Sequence, residues 1–211
     1  MQRNRWLAGS VWLVALVAIF IGPARAQKQT DVALSVYGAF SSTASNPVSG
    51  VLESPSNAAG GMVEVRHLFN RFNGFEATYA LNRANQVYEV FCSLCTSPPP
   101  PVSAYAHAFT ADWIFTTHPA KVRYFALLGA GLLYFQPVTD FPAGSPWGPS
   151  QSAVTPDYIY GAGLDWGFSQ RLGMRLQYRG NIYKAPYLLK DLQASAFTHT
   201  AEPALGVYYR F

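Results

Sequence analysis

The 211 residues carry 15 basic and 11 acidic side chains, yet half the chain is hydrophobic and only 12% is charged. Soluble domains average about 25% charged residues, so the composition argues against a soluble secreted sandwich or barrel with a wet face. Three of the arginines fall in the first 26 residues; beyond them 12 basic side chains face 11 acidic ones, a net charge of +1, which removes any case for nucleic-acid binding.

Residues 1–26 read as a cleaved signal peptide. Arg3 and Arg5 form a basic start, Trp6 to Ile21 is an uncharged apolar run, and Gly22-Pro23 breaks it. Ala24-Arg25-Ala26 then fits a small-x-small cleavage site, with the cut expected between Ala26 and Gln27. No cysteine follows the cut, so a lipoprotein anchor is not expected. The remainder, 27–211, is long enough for one domain. Its longest apolar run, Tyr124 to Phe135, is interrupted by Gly129 and Gly131 and falls short of the roughly 20 residues a spanning helix needs. Low charge, many aromatics and no membrane helix together point to alternating strands in a bilayer.

Strand one is expected over 32–41, with Val32, Leu34, Val36 and Phe40 on one face. A long polar loop, 42–58, follows. Strand two, about 59–69, puts Val63, Val65 and Phe69 outward and Glu64 and Arg66 inward. After a tight turn at Asn70-Arg-Phe-Asn, strand three, 74–82, puts Phe75, Ala77, Tyr79 and Leu81 outward and Glu76, Thr78 and Asn82 inward. The loop 83–102 holds Cys92, Cys95 and four consecutive prolines. Strand four, 104–115, carries Tyr105, Phe109, Trp113 and Phe115 outward and Asp112 inward. Strand five, 122–135, follows a short turn. It is apolar on both sides, so alternation alone leaves its register open. A loop rich in Pro, Gly and Ser covers 136–155.

Residues 157–180 carry the clearest signal. Tyr158, Tyr160, Leu164, Trp166, Phe168, Leu172, Met174, Leu176 and Tyr178 share an uncharged face, while Gly161, Gly163, Asp165, Gly167, Gly173, Arg175, Gln177 and Arg179 share the other. Period-two alternation in two segments joined by a tight turn is a β-hairpin, here strands six and seven. Loop 181–198 leads to strand eight, about 199–211. Leu205, Val207, Tyr209 and Phe211 point outward there, and Glu202, Gly206, Tyr208 and Arg210 inward. Connections therefore alternate long and short. An all-β, eight-stranded, antiparallel up-and-down transmembrane β-barrel with both termini in the periplasm predicts this asymmetry.

Three segments carry a family resemblance: Gly-Ala-Gly-Leu-Asp-Trp-Gly (161–167), Arg-Leu-Gln-Tyr-Arg (175–179) and the ending Leu-Gly-Val-Tyr-Tyr-Arg-Phe (205–211). On these the chain resembles the OmpA/OmpX-type eight-stranded outer-membrane barrels over essentially all of 27–211. The resemblance implies the outer membrane of a Gram-negative-type cell and contact with outer-membrane lipid. It also implies that Val207, Tyr209 and Phe211 form the signal read by the barrel assembly machinery. No second periplasmic domain follows, so anchoring to peptidoglycan is not expected. A monomer is expected, with no cofactor.

Inward charges are expected at Glu64, Glu76, Asp112, Asp165 and Glu202, against Arg66, Arg123, Arg175, Arg179 and Arg210. An eight-stranded lumen is just wide enough for side chains to fill, and buried charges are tolerable when paired. The expectation is a salt-bridged, largely closed lumen and a structural or surface-interaction role, with a narrow solute channel as the alternative. Cys92 and Cys95 form one Cys-x-x-Cys with no second pair, which favours a local disulfide over a metal site in an oxidising compartment. A lipid-modifying enzyme would need a nucleophile, base and acid together. His199, Thr200 and Glu202 are close in sequence, but alternation places His199 on the opposite face, so no enzyme activity is expected. The loop aromatics Phe141, Trp147, Tyr187 and Phe197 either form a surface patch or fold over the rim.

Overall fold

The structure is a computed structural model that describes residues 29–46, 50–90, 101–117, 120–139, 141, 149–189 and 194–211. Ten strands follow in chain order: β1 (Gln29–Ser41), β2 (Ala44–Asn46), β3 (Val51–Pro55), β4 (Ala58–Leu68), β5 (Asn73–Val90), β6 (Val102–Thr116), β7 (Val122–Pro137), β8 (Ala153–Gly167), β9 (Leu172–Lys184) and β10 (Phe197–Arg210). Eight of them close into a ring in the order β1-β4-β5-β6-β7-β8-β9-β10, every neighbour antiparallel. The seam is between first and last strands, Val32 opposite Tyr209 and Val36 opposite Leu205.

The segment 42–58 is not simply a loop. β2 and β3 make a hairpin, and β3 pairs with the far half of β5, Val51 opposite Val90 and Pro55 opposite Gln86. β5 therefore runs to Val90 instead of stopping at 82. β3 continues the track of β4 across a break at Ser56, which is stitched by its amide to the Asn85 carbonyl and by its hydroxyl to the Asn85 amide. Ser, Pro and Asn depress local strand propensity, but a partner strand along the whole of β5 supplies the missing ladder bonds.

Alternation sets the faces as the pleat requires. Leu34, Val36, Phe109, Trp113, Tyr124, Leu128, Leu132, Tyr158, Trp166, Leu176 and Val207 are exposed on the outside. The register of β7 is settled by its neighbours: Arg123, Phe125, Leu127, Leu133 and Phe135 face inward and are buried. Short turns link the strands at one end. Asn70 Oδ1 accepts the Phe72 and Asn73 amides at 2.8 and 2.9 Å, and Ser169 Oγ accepts the Arg171 and Leu172 amides at 3.2 and 3.0 Å. These side chains replace the backbone bonds that a reversing chain lacks. Gly173, opposite Tyr208, has no room for a Cβ beside the tyrosine ring, which lies across it and brings its centroid 5.6 Å from the Arg175 guanidinium.

Candidate functional site in the barrel lumen

The inward positions build the site strand by strand. Several direct cross-strand neighbours are opposite in charge: Asp31 faces Arg66, Arg66 faces Glu76, and Asp165 faces both Arg123 and Arg175, while Glu76 faces a like charge in Asp112. Arg66 Nε donates to Glu76 at 2.7 Å, Arg175 Nε to Asp165 at 2.8 Å, and Arg123 Nη2 to Asp165 at 3.0 Å. The pairs then cross the lumen. Arg66 reaches Asp165 at 3.1 Å; Arg175 reaches Asp31 at 2.8 Å, Glu76 at 3.2 Å and Glu64 at 3.6 Å. Arg179 reaches Asp112 at 2.9 Å and Glu76 at 3.4 Å, and also donates to Thr78 and Thr110. Four arginines and five carboxylates thus form one continuous buried network. Breaking such a network by removing one partner leaves charge unpaired in a place where water cannot reach it.

Neutral groups complete it. Glu64 accepts from Ser35 and Gln177, each at 2.6 Å. The Arg66 guanidinium lies 4.1 Å from the centroid of the Phe125 ring, which makes an inward phenylalanine compatible with a charged lumen. Above the network a polar layer follows: Asn82 to Tyr37 at 3.0 Å, Tyr183 to Thr200 at 3.0 Å and Ser41 to Thr200 at 2.7 Å. A cavity of about 30 Å³, lined in part by Gln86, Asn181 and Glu202, sits there. That is room for about one water molecule. Higher still, Val51, Tyr88, Val102, Phe135, Leu188, Leu189 and Ala194 are buried against one another as an apolar cap. Leu188 and Leu189 are held in place by the Leu188 carbonyl, which accepts the Gln151 amide at 2.9 Å, and by the bridge from Leu189 to Ser150. Within this cap both carboxylate oxygens of Glu53 are buried without a hydrogen-bond donor, and burial pushes the carboxyl up to about 8.

Eight of the ten charged residues singled out in the sequence lie in the network. Glu202 is buried but makes no ion pair among the described residues; its register partner is Arg179. Arg210 sits at the short-turn rim with its guanidinium 5.2 Å from the Tyr208 ring centroid. Sequence reasoning missed three buried acids. Asp31 precedes the expected start of strand one, although its position continues the inward series 33, 35, 37. Asp157 shares the inward face of Gly161 and has both oxygens buried without a donor. Glu53 lay in an expected loop. Val207, Tyr209 and Phe211 are exposed on the outside, as the alternation requires. His199 faces outward, its Nε2 2.9 Å from the Tyr160 hydroxyl, away from Thr200 and Glu202. Phe141 packs against the cap and Phe197 is exposed. Ala26, Gln27, Cys92, Cys95 and Trp147 lie outside the described residues.

A closed antiparallel ring of eight strands, apolar outside and filled with paired charge inside, defines the transmembrane β-barrel class. Solved structures of the same fold include Neisserial surface protein A, 14% identical over 86% of this chain and 97% of that one, with a TM-score of 0.55. Ail, the attachment invasion locus protein of Yersinia pestis, in complex with the heparin analogue sucrose octasulfate, is 19% identical over 88% of this chain and all of its own, with a TM-score of 0.54. The outer membrane protein OprG from Pseudomonas aeruginosa is 11% identical over 89% of this chain and 97% of its own, with a TM-score of 0.57. At these identities the likeness is one of fold. No family model matches the chain, and no curated protein matches it.

Proposed function

We propose that this chain is a closed outer-membrane barrel with a structural or surface-interaction role, its lumen serving as a scaffold and its outer hairpin and loops as the working surface. The observation that carries this reading is the double closure of the lumen: the arginine–carboxylate network toward the short turns, and the apolar cap with Leu188 and Leu189 at the other end. The barrel is a monomer in outer-membrane lipid, with both termini periplasmic after loss of residues 1–26. Val207, Tyr209 and Phe211 offer the assembly machinery a terminal strand with an aromatic end. A surface-interaction role accords with two neighbours whose names describe a surface protein and an attachment invasion locus protein. No catalytic role is assigned, since His199 is turned away from the acid and hydroxyl nearest it in sequence.

Single-channel recording of the refolded mature protein in a planar bilayer tests this. The expected result is a folded, inserted barrel without steady conductance. Steady conductance that changes when Arg175 or Asp165 is substituted would replace the scaffold reading with a narrow solute channel lined by the same charges.

A further inference from the structure

Among the described residues the exposed side-chain charges at the short-turn end are all basic, whereas the other end mixes Arg83 and Lys184 with Glu89. The turns at the short-turn end present Arg71, Lys121 and Arg171, all exposed, and Arg210 at the end of β10 joins them, partly exposed and with an Nε that has no hydrogen-bond partner. Arg171 does no more than reach the Tyr209 hydroxyl at 3.4 Å. None of the four forms an ion pair among the described residues. The acids nearest this end, Asp31 and Asp165, are buried in the lumen and already held by Arg175 and Arg123. The one exposed acid among the described residues, Glu89, lies at the far end of β5.

Immediately inside this cationic rim is a belt of exposed rings. Phe69 stands 5.7 Å from Trp113, Trp166 5.4 Å from Phe168, and Tyr209 5.1 Å from Phe211, centroid to centroid. Aromatic rings at that level mark the boundary between acyl chains and headgroups. The cations therefore stand at headgroup depth, without an acidic partner among the described residues. A zwitterionic lipid brings its own ammonium to compete for the phosphate. An anionic phospholipid leaves its phosphate unneutralised, and that charge complements a rim whose exposed side-chain charges are all basic.

We propose that the short-turn rim is a collar for anionic phospholipid headgroups, in which Arg71, Lys121, Arg171 and Arg210 receive phosphate oxygens while the acyl chains lie along the neighbouring rings. The inference rests on the reading of the chain as a membrane barrel. It gives the rim a lipid preference that the barrel reading alone does not require.

The protein carries its own probes. Trp113 and Trp166 sit at this rim, and Trp147 is the one other tryptophan after the leader. A Trp147→Phe barrel is refolded into vesicles of phosphatidylcholine with a minor fraction of phosphatidylglycerol, and either lipid is brominated on its acyl chains to quench nearby tryptophan. The expected result is that brominated phosphatidylglycerol quenches well beyond its mole fraction, with an association constant roughly fivefold above that of phosphatidylcholine. In Arg71→Gln/Lys121→Gln/Arg171→Gln/Arg210→Gln, checked for folding by heat-modifiable migration, the two lipids quench equally. Equal quenching in the parent, or a preference that survives the fourfold substitution, overturns the collar and leaves the barrel standing. Quenching by neither lipid overturns the membrane reading itself.

Discussion

Arg175→Ala tests whether the lumen network is a stabilising unit. Arg175 meets Asp31, Asp165, Glu76 and Glu64 at 2.8, 2.8, 3.2 and 3.6 Å. Its loss does not strand all four equally. Asp165 keeps Arg66 and Arg123 at 3.1 and 3.0 Å, and Glu76 keeps Arg66 at 2.7 Å. Glu64 keeps Ser35 and Gln177. Asp31 is left with Arg123 at 3.9 Å and is the group that suffers. Removing one partner of a buried ion pair costs about 3–5 kcal/mol; with three of the four carboxylates still served, the expected cost is near about 3 kcal/mol. Urea unfolding of the refolded barrel, followed by tryptophan fluorescence, should show the midpoint falling by about 1–2 M for a slope of about 2 kcal/mol per molar. Arg175→Ala/Asp31→Asn should recover about 1–2 kcal/mol, because the stranded charge is gone. A single variant within about 0.5 kcal/mol of the parent, or a double variant as unstable as the two single costs added, refutes the reasoning.

Two further outcomes follow from the groups the network leaves out. Asp157→Asn should raise stability by about 1 kcal/mol, read from the same urea midpoint, since both carboxylate oxygens are buried without a donor and the amide carries no charge to bury; a lower midpoint refutes it. Glu53 makes docking of the β2–β3 hairpin depend on pH. Its carboxyl is raised from the ordinary 4.5 to about 8 by burial, so between those values the docked hairpin holds a proton that the undocked one has released. Docking is then full below 4.5 and weakens as pH rises toward 8. Hydrogen exchange of residues 51–55 should speed up over that range beyond the intrinsic rate, and Glu53→Gln should remove the excess; an unchanged excess in the variant refutes the assignment.

The staves of the barrel were legible because a strand's faces are local. Each of Glu64, Glu76, Asp112, Arg175 and Arg179 announces its side by its odd or even place among apolar neighbours. What was not legible depends on distant chain. Ser54 and Pro55 read as loop until β5 is seen to extend beyond β4 and offer them a ladder. Phe125 and Leu127 blurred the register of β7, since nothing local says that a phenylalanine on the inner face will lie under Arg66. Asp31 fell outside because a strand's first residue has too few neighbours to show alternation. Which carboxylate each arginine takes is decided by lumen width and shear, beyond the reach of any window along the chain.

The seam between β1 and β10 has a consequence for how the molecule is made. Asp31 is contributed by the earliest strand, while Arg175, the cation it holds at 2.8 Å, comes from β9, 144 residues later. Before the last two strands arrive, a growing sheet presents Asp31 and Glu64 without that guanidinium. Such a sheet cannot shed its water cheaply, and so cannot settle into hydrocarbon as an open ribbon. The joining of the two chain ends along the β1–β10 seam is the step that brings Asp31 within reach of Arg175.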